Sequence, residues 1–195
     1  MGDKRMEGVF RLMRRYDHEE AHSRHVCKLA LELFDQLQAL HGLSALERQW
    51  LEAAALLHDI GWSQAGQAHH KASLRLILRE RLPGWSDEEA LIIANIARYH
   101  RKSVPRSKHR HFARLSSKRQ ESVIRLAALL RLADGLDRLH DGRVKRITCT
   151  SANAHVRIRL ASGRDPSPAL AGLEKKKELF EEHYRRKLVL DAAPA

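Results

Sequence analysis

The octapeptide Trp50 to Leu57 is apolar at every position except Glu52, and it runs straight into His58-Asp59-Ile60-Gly61-Trp62. A helix that is apolar on nearly all sides must be enclosed by other elements, so this run predicts a central buried helix. Gly61 reads as the helix stop. His58 and Asp59 then fall in the last turn, where the negative end of the helix dipole disfavours a carboxylate and burial strips its hydration. A divalent cation answers both problems, and neutral imidazole beside carboxylate is a common ligand pair. The competing reading is a solvated helix end with two surface side chains.

The flanking sequence supplies further helices. Residues 1–16 are basic and mixed, with a short helix ending in Arg14-Arg15. From Asp17 a helix carries Val26, Leu29, Ala30, Leu33, Leu37 and Leu40 at helical spacing, with His22 one turn before Val26 on the same face. Ser44 and Glu47 form a capping box for the central helix. His69-His70 opens another helix, and Ser86 caps one that ends in Arg98-Tyr99-His100-Arg101-Lys102. Residues 103–117 are the most basic and least periodic stretch, and they predict an exposed loop rather than a core element. A helix over about residues 118–140 is strongly apolar yet contains Asp134, an acid that needs a partner if buried; Asp137, one turn later, competes with it for that inward position. After Gly142 the period shortens, and Val144, Ile147, Val156, Ile158 and Leu160 predict two antiparallel strands. Residues 169–187 predict one amphipathic helix with Lys175-Lys176-Lys177 outward, and Leu188-Val189-Leu190 a third strand.

The expected architecture is therefore mainly α, a helical bundle with a small C-terminal antiparallel β element plus helix. Its parts are a basic segment at 1–16, a helical domain at 17–141, an α+β subdomain at 142–191 packed on it, and a disordered tail at 192–195. With 195 residues, 43% hydrophobic and 31% charged, the composition is that of a globular domain. No apolar run has the length of a membrane span, and the first ten residues lack a signal-peptide core. Cys27 and Cys149 suggest no disulfide framework, which points to the cytoplasm. The formal charge of +12 concentrates polyanions at the surface.

His22, His58-Asp59, His70, His100 and Asp134 each sit at an end or on the apolar face of a different predicted helix, and packed helices can bring such groups to one point. The set is all nitrogen and oxygen, which suits one or two Mn, Mg, Fe or Zn ions.

The phrases HSRHVCKLALELFDQL, LEAAALLHDIGW, HHKASLRLIL, LPGWS, IARYHRK and LAALLRLADGLDRLH carry a resemblance. In the order His…His-Asp…Asp the sequence resembles the HD superfamily of metal-dependent phosphohydrolases. More closely, it is similar from about Asp17 onward to the C-terminal HD-type domain of the exopolyphosphatase/guanosine-pentaphosphate phosphatase (Ppx/GppA) family. The resemblance implies that His22, His58, Asp59 and Asp134 are core metal ligands and that His70 and His100 complete a second site. Ala72 stands where the family often has a further histidine, which leaves the choice between His69 and His70 open. Arg98, Arg101 and Lys102 would lie at the mouth of the site, and a homodimer is the family expectation. In that family, phosphatase chemistry belongs to an actin-like half with glycine-rich phosphate loops; this sequence has no Gly-x-Gly cradle, so the site must be judged on its own residues as a stand-alone domain.

Two functional readings follow. In the first, Asp59 and His58 are catalytic in a metal-dependent phosphohydrolase acting on a nucleotide, a (p)ppGpp-like compound or polyphosphate. In the second, the domain holds polyphosphate or another polyanion without turnover, using cations such as Arg106, Lys108 and Arg110. Nucleic acid is not the expected partner, because no helix-turn-helix, zinc-finger or RNA-stacking phrase is present and aromatics are only 5%.

Overall fold

In α4 (Ala45–Leu57) the sequence places Ala53, Ala54 and Ala55 between larger apolar residues, and Trp50, Leu51 and Ala53 to Leu57 are all buried. The small side chains let neighbours approach closely. In the computed structural model, which describes residues 4–66 and 68–192, α4 is enclosed by other helices. These are α1 (Lys4–Tyr16), α2 (Glu20–Gln36), α6 (Asp87–Arg98) and α8 (Ser117–Leu136), with the short α3 (Gln38–His41) leading into it. After α4 come a 3-10 turn (Ile60–Ser63) and α5 (His69–Glu80), and α7 (Arg110–Ala113) lies between α6 and α8.

The caps follow the sequence. The Ser44 N–H donates to Glu47 Oε2 at 2.8 Å, and Ser86 and Glu89 bond reciprocally at the start of α6. Gly42 ends α3 in the left-handed conformation at φ 62°. Gly61 acts differently from the expected helix stop. Its φ is not positive, and α5 crosses so tightly that a Cβ on Gly61 would overlap the His69 carbonyl. The Ser73 hydroxyl fastens this crossing: it accepts from the Gly61 N–H at 3.0 Å and donates to the His58 carbonyl at 2.7 Å.

The C-terminal part holds β1 (Val144–Ser151), β2 (His155–Ser162), α9 (Ser167–Lys176), α10 (Glu178–Tyr184) and β3 (Lys187–Ala192). β1 and β2 form the expected antiparallel pair, burying Val144, Ile147, Val156, Ile158 and Leu160. β3 joins β2 in parallel, with Val156 opposite Leu188. The open edge of β1 is covered by α2, where Gln36 donates to the Ile147 carbonyl and accepts from the Cys149 N–H.

Three further expectations change. The helix foreseen over 169–187 is two, α9 and α10, and the chain turns at Arg185 (φ 52°) into β3. Residues 103–117 are not wholly an exposed loop: Phe112 and Leu115 are buried, three residues apart on one side of a helical turn, while Arg106, Lys108 and Arg110 are exposed. Of the residues read as a tail, Ala192 ends β3, and 193–195 lie outside the described residues. From Lys4 onward the basic segment forms α1, whose Met6, Val9, Leu12 and Met13 join the same core as α4 and the sheet.

Candidate metal centre

Helices α2 and α5 and the turns that follow α4 and α6 direct side chains to Asp59. The His22 Nδ1–H donates to Asp137 Oδ2 at 2.8 Å, the His58 Nδ1–H to the Ala55 carbonyl at 2.7 Å, and the His100 Nδ1–H to the Ala97 carbonyl at 2.7 Å. Carbonyl and carboxylate oxygens only accept, so each ring carries its proton on Nδ1 and turns a bare Nε2 inward. His69 Nε2 lies 3.3 Å from Arg101 Nη1, a group that only donates, so this nitrogen is bare as well.

The bare nitrogens divide between the two oxygens of Asp59. Oδ2 is 3.8 Å from His22 Nε2 and 3.6 Å from His58 Nε2. Oδ1 is 3.4 Å from both His69 Nε2 and His100 Nε2. Asp134 Oδ1 joins the first group, 3.7 Å from His22 Nε2 and 4.0 Å from His58 Nε2. His22, His58 and Asp59, and again Asp59, His69 and His100, are thus sets of buried donors able to hold an ion. His22 Nε2, His58 Nε2 and Asp59 Oδ1 have no hydrogen-bond partner among the described residues.

Lone pairs facing lone pairs in a buried site repel unless positive charge joins them. Donors about 2.1 Å from a common ion stand roughly 3 to 3.5 Å apart, close to the spacing here. The residues therefore fit a divalent cation of the nitrogen- and oxygen-binding kind. Burial also holds three of the rings, His58, His69 and His100, neutral, as ligands must be. It lowers His58, takes His100 well below the ordinary histidine value, and with Arg101 brings His69 down to about 4 despite the opposing Asp59.

The choice left open at the start of α5 falls geometrically to His69. His70 is also buried, but it meets His69 edge-on with centroids 5.8 Å apart and is not in either donor set. Asp137 is not a competitor of Asp134 but its complement, fixing the His22 ring from behind. Lys176, expected outward, turns in to pair with Asp134. That is possible because α9 crosses α8 at two glycines, and a Cβ on Gly172 would overlap the Gly135 carbonyl oxygen. Burial and the nearby Arg131 and Arg101 bring Lys176 down to about 7.

Beside Asp134 opens a cavity of about 480 Å³ lined by Arg101, Lys102, Arg131, Arg138, Lys175 and Lys176. Of the cations singled out from sequence, Arg101 and Lys102 line it. Arg98 instead lies over the Tyr99 ring, and Arg106, Lys108 and Arg110 project from the segment beyond. The sequence offered no signal for Arg131, Arg138 or Lys176, since basic residues on helices are ordinarily solvated.

A mainly helical domain with a small sheet, a buried histidine–aspartate cluster and a basic mouth is thus defined. The sequence model of the Ppx/GppA phosphatase family, domain III, matches residues 5–178. The chain belongs to this family.

Proposed function

We propose that the domain is an HD-type metal-dependent phosphohydrolase. The observation that carries this is the convergence of four bare imidazole nitrogens on the two oxygens of Asp59, next to a basic cavity. His22, His58, Asp59 and Asp134 would hold one divalent ion (Mn, Mg, Fe or Zn), and Asp59, His69 and His100 a second. When bound, such ions supply Lewis acidity and a water acidified to near neutral pKa. Asp59 then sets the spacing of the two sites, and Asp137 keeps His22 in the ligating tautomer. Arg101, Lys102 and Arg138 bind the phosphoryl oxygens and stabilise charge that develops on them. Lys176, freed from Asp134, faces the same oxygens. The substrate is a phosphate ester or anhydride, in a nucleotide, a (p)ppGpp-like compound or polyphosphate.

The test is metal analysis of the purified chain together with phosphate release under added Mn. Asp59→Ala should remove both bound metal and turnover; unchanged metal content in that variant would refute the centre.

A second reading, a non-catalytic polyphosphate holder, is favoured by one observation. Arg106, Lys108 and Arg110 are exposed and are not among the residues lining the basic cavity, on a chain of net charge +12. Reversing those three charges would then weaken polyphosphate binding while Asp59→Ala left it intact. Among the described residues no helix is long and apolar enough to cross a membrane. Free Cys27 and Cys149 suit a cytoplasmic setting.

A further inference from the structure

Asp134 serves two neighbours at once. Its Oδ1 faces the metal centre, 3.7 Å from His22 Nε2 and 4.0 Å from His58 Nε2, while its Oδ2 accepts from the Lys176 ammonium. His22, His58 and Asp59 stand close enough together to share an ion, and Asp134 is not in that set. The two acids of the centre are therefore unequal. Asp59 Oδ1 has no hydrogen-bond partner among the described residues, whereas Asp134 already holds a cation of the protein's own.

This pairing is built into the helix crossing. Lys176 is the last residue of α9, and its side chain is only 21% exposed because α9 lies against α8 at Gly172 and Gly135. The lysines beside it in sequence are placed differently: Lys177 pairs with Glu174, and Lys175 is exposed. In the metal-free chain the Lys176 ammonium offsets one of two buried carboxylates that would otherwise face neutral imidazoles, an arrangement that burial makes strongly unfavourable.

Ligands of one ion stand roughly 3 to 3.5 Å apart, so Asp134 must close on His22 and His58 to join them, which draws Oδ2 from Lys176. The freed ammonium then meets no other acid in the basic cavity. Among the described residues that line it, Asp134 is the one carboxylate, and the other charged groups are Arg101, Lys102, Arg131, Arg138 and Lys175. Like charges crowded in this way are relieved by an anion.

We infer that Lys176 is an internal counter-cation that competes with the metal ion for Asp134, so that filling the centre releases the ammonium to the phosphate-binding cavity. One carboxylate thereby couples the two sites, and the coupling runs both ways: an anion that draws Lys176 off Asp134 leaves the centre readier for metal. The inference rests on the metal centre of the hydrolase reading, and not on turnover.

The experiment is acylation of the full, unaltered chain with limiting acetic anhydride at one pH, scored lysine by lysine by peptide mass spectrometry. It is run with chelator, with Mn, and with Mn plus inorganic phosphate, and bound Mn is counted in the same samples. Lys176 should react faster in the Mn-loaded chain by roughly 5- to 150-fold, the span of ordinary coupling between two sites, while Lys175 keeps its rate. Inorganic phosphate should then shield Lys176 again. Lys176→Met, of similar length but unable to pair, should bind Mn more tightly by a factor in that range, and Lys175→Met should not. Mn bound with Lys176 no more reactive overturns the exchange and leaves the centre standing. Weaker Mn binding by Lys176→Met does the same, because it makes the lysine an orienting group for Asp134. Fast labelling that phosphate does not slow overturns the transfer to the cavity. No Mn on the unaltered chain refutes the centre and the exchange together.

Discussion

Gly172 on α9 lies against Gly135 on α8 with backbone touching backbone, and this contact sets how near Lys176 stands to Asp134. One helical turn separates Gly172 from Lys176, and Gly135 follows Asp134 directly. A larger residue at either glycine would push α9 outward and take the ammonium away from the carboxylate.

Gly172→Ala is therefore expected to cost about 1–3 kcal/mol through overpacking, lowering the melting temperature by several degrees. Gly163→Ala, where a Cβ meets nothing within 4 Å, is the matched control and should stay within about 0.5 kcal/mol. Equal melting temperatures for the two variants would contradict the tight crossing.

Asp137 is expected to matter for affinity as well as for folding. Asp137→Ala strips the buried His22 Nδ1–H of its acceptor, at about 1–3 kcal/mol. Loss of that orienting carboxylate should weaken Mn binding roughly 10- to 100-fold. Asp137→Asn, whose amide oxygen can still accept, should recover much of the affinity. Titration calorimetry with Mn reads all three proteins.

Gly61→Ala probes the crossing of α5. The new methyl would collide with the His69 carbonyl, so α5 must shift and carry the His69 ring from Asp59 Oδ1. If two ions bind per chain, the variant should hold only one. Metal stoichiometry by mass spectrometry decides it, and an unchanged count would show that His69 is not a ligand.

The pH dependence of the metal-free chain follows from the buried rings. His69 and His70 are both brought down to about 4, chiefly by burial, and His100 lies well below the ordinary value of 6.5. Between about pH 6.5 and 4 the unfolded chain binds more protons than the folded one, so stability rises with pH in that window. The contribution is fully present above about 6.5 and lost as pH falls through about 4. Urea midpoints at pH 7.5, 6 and 5 should decline in that order, and His70→Asn should flatten the decline. A midpoint constant from 7.5 to 5 would rule the mechanism out.

Much of this was legible in the chain itself. The Trp50–Leu57 run, the Ser44 and Ser86 caps and the alternation after Gly142 give the central helix, its neighbours and the hairpin, because local propensity and burial period act over a few residues. His22, His58, Asp59, His100 and Asp134 could be named for the same reason, as polar groups on or at the end of faces that had to be buried. What only the tertiary structure decided was which atoms meet. His69 and His70 are both buried in the first turn of α5, and adjacent residues point about 100° apart around a helix, so only the docking of α5 against Gly61 turns one of them to Asp59. Lys176 belongs to a lysine triplet that reads as solvated, and it reaches Asp134 only because two glycines distant in sequence let α8 and α9 touch. Phe112 and Leu115 sit among cations that mask a buried turn. Period reports which face of a helix is covered; helix-to-helix distance and phase decide what that face touches, and those are set by contacts between residues far apart in the chain.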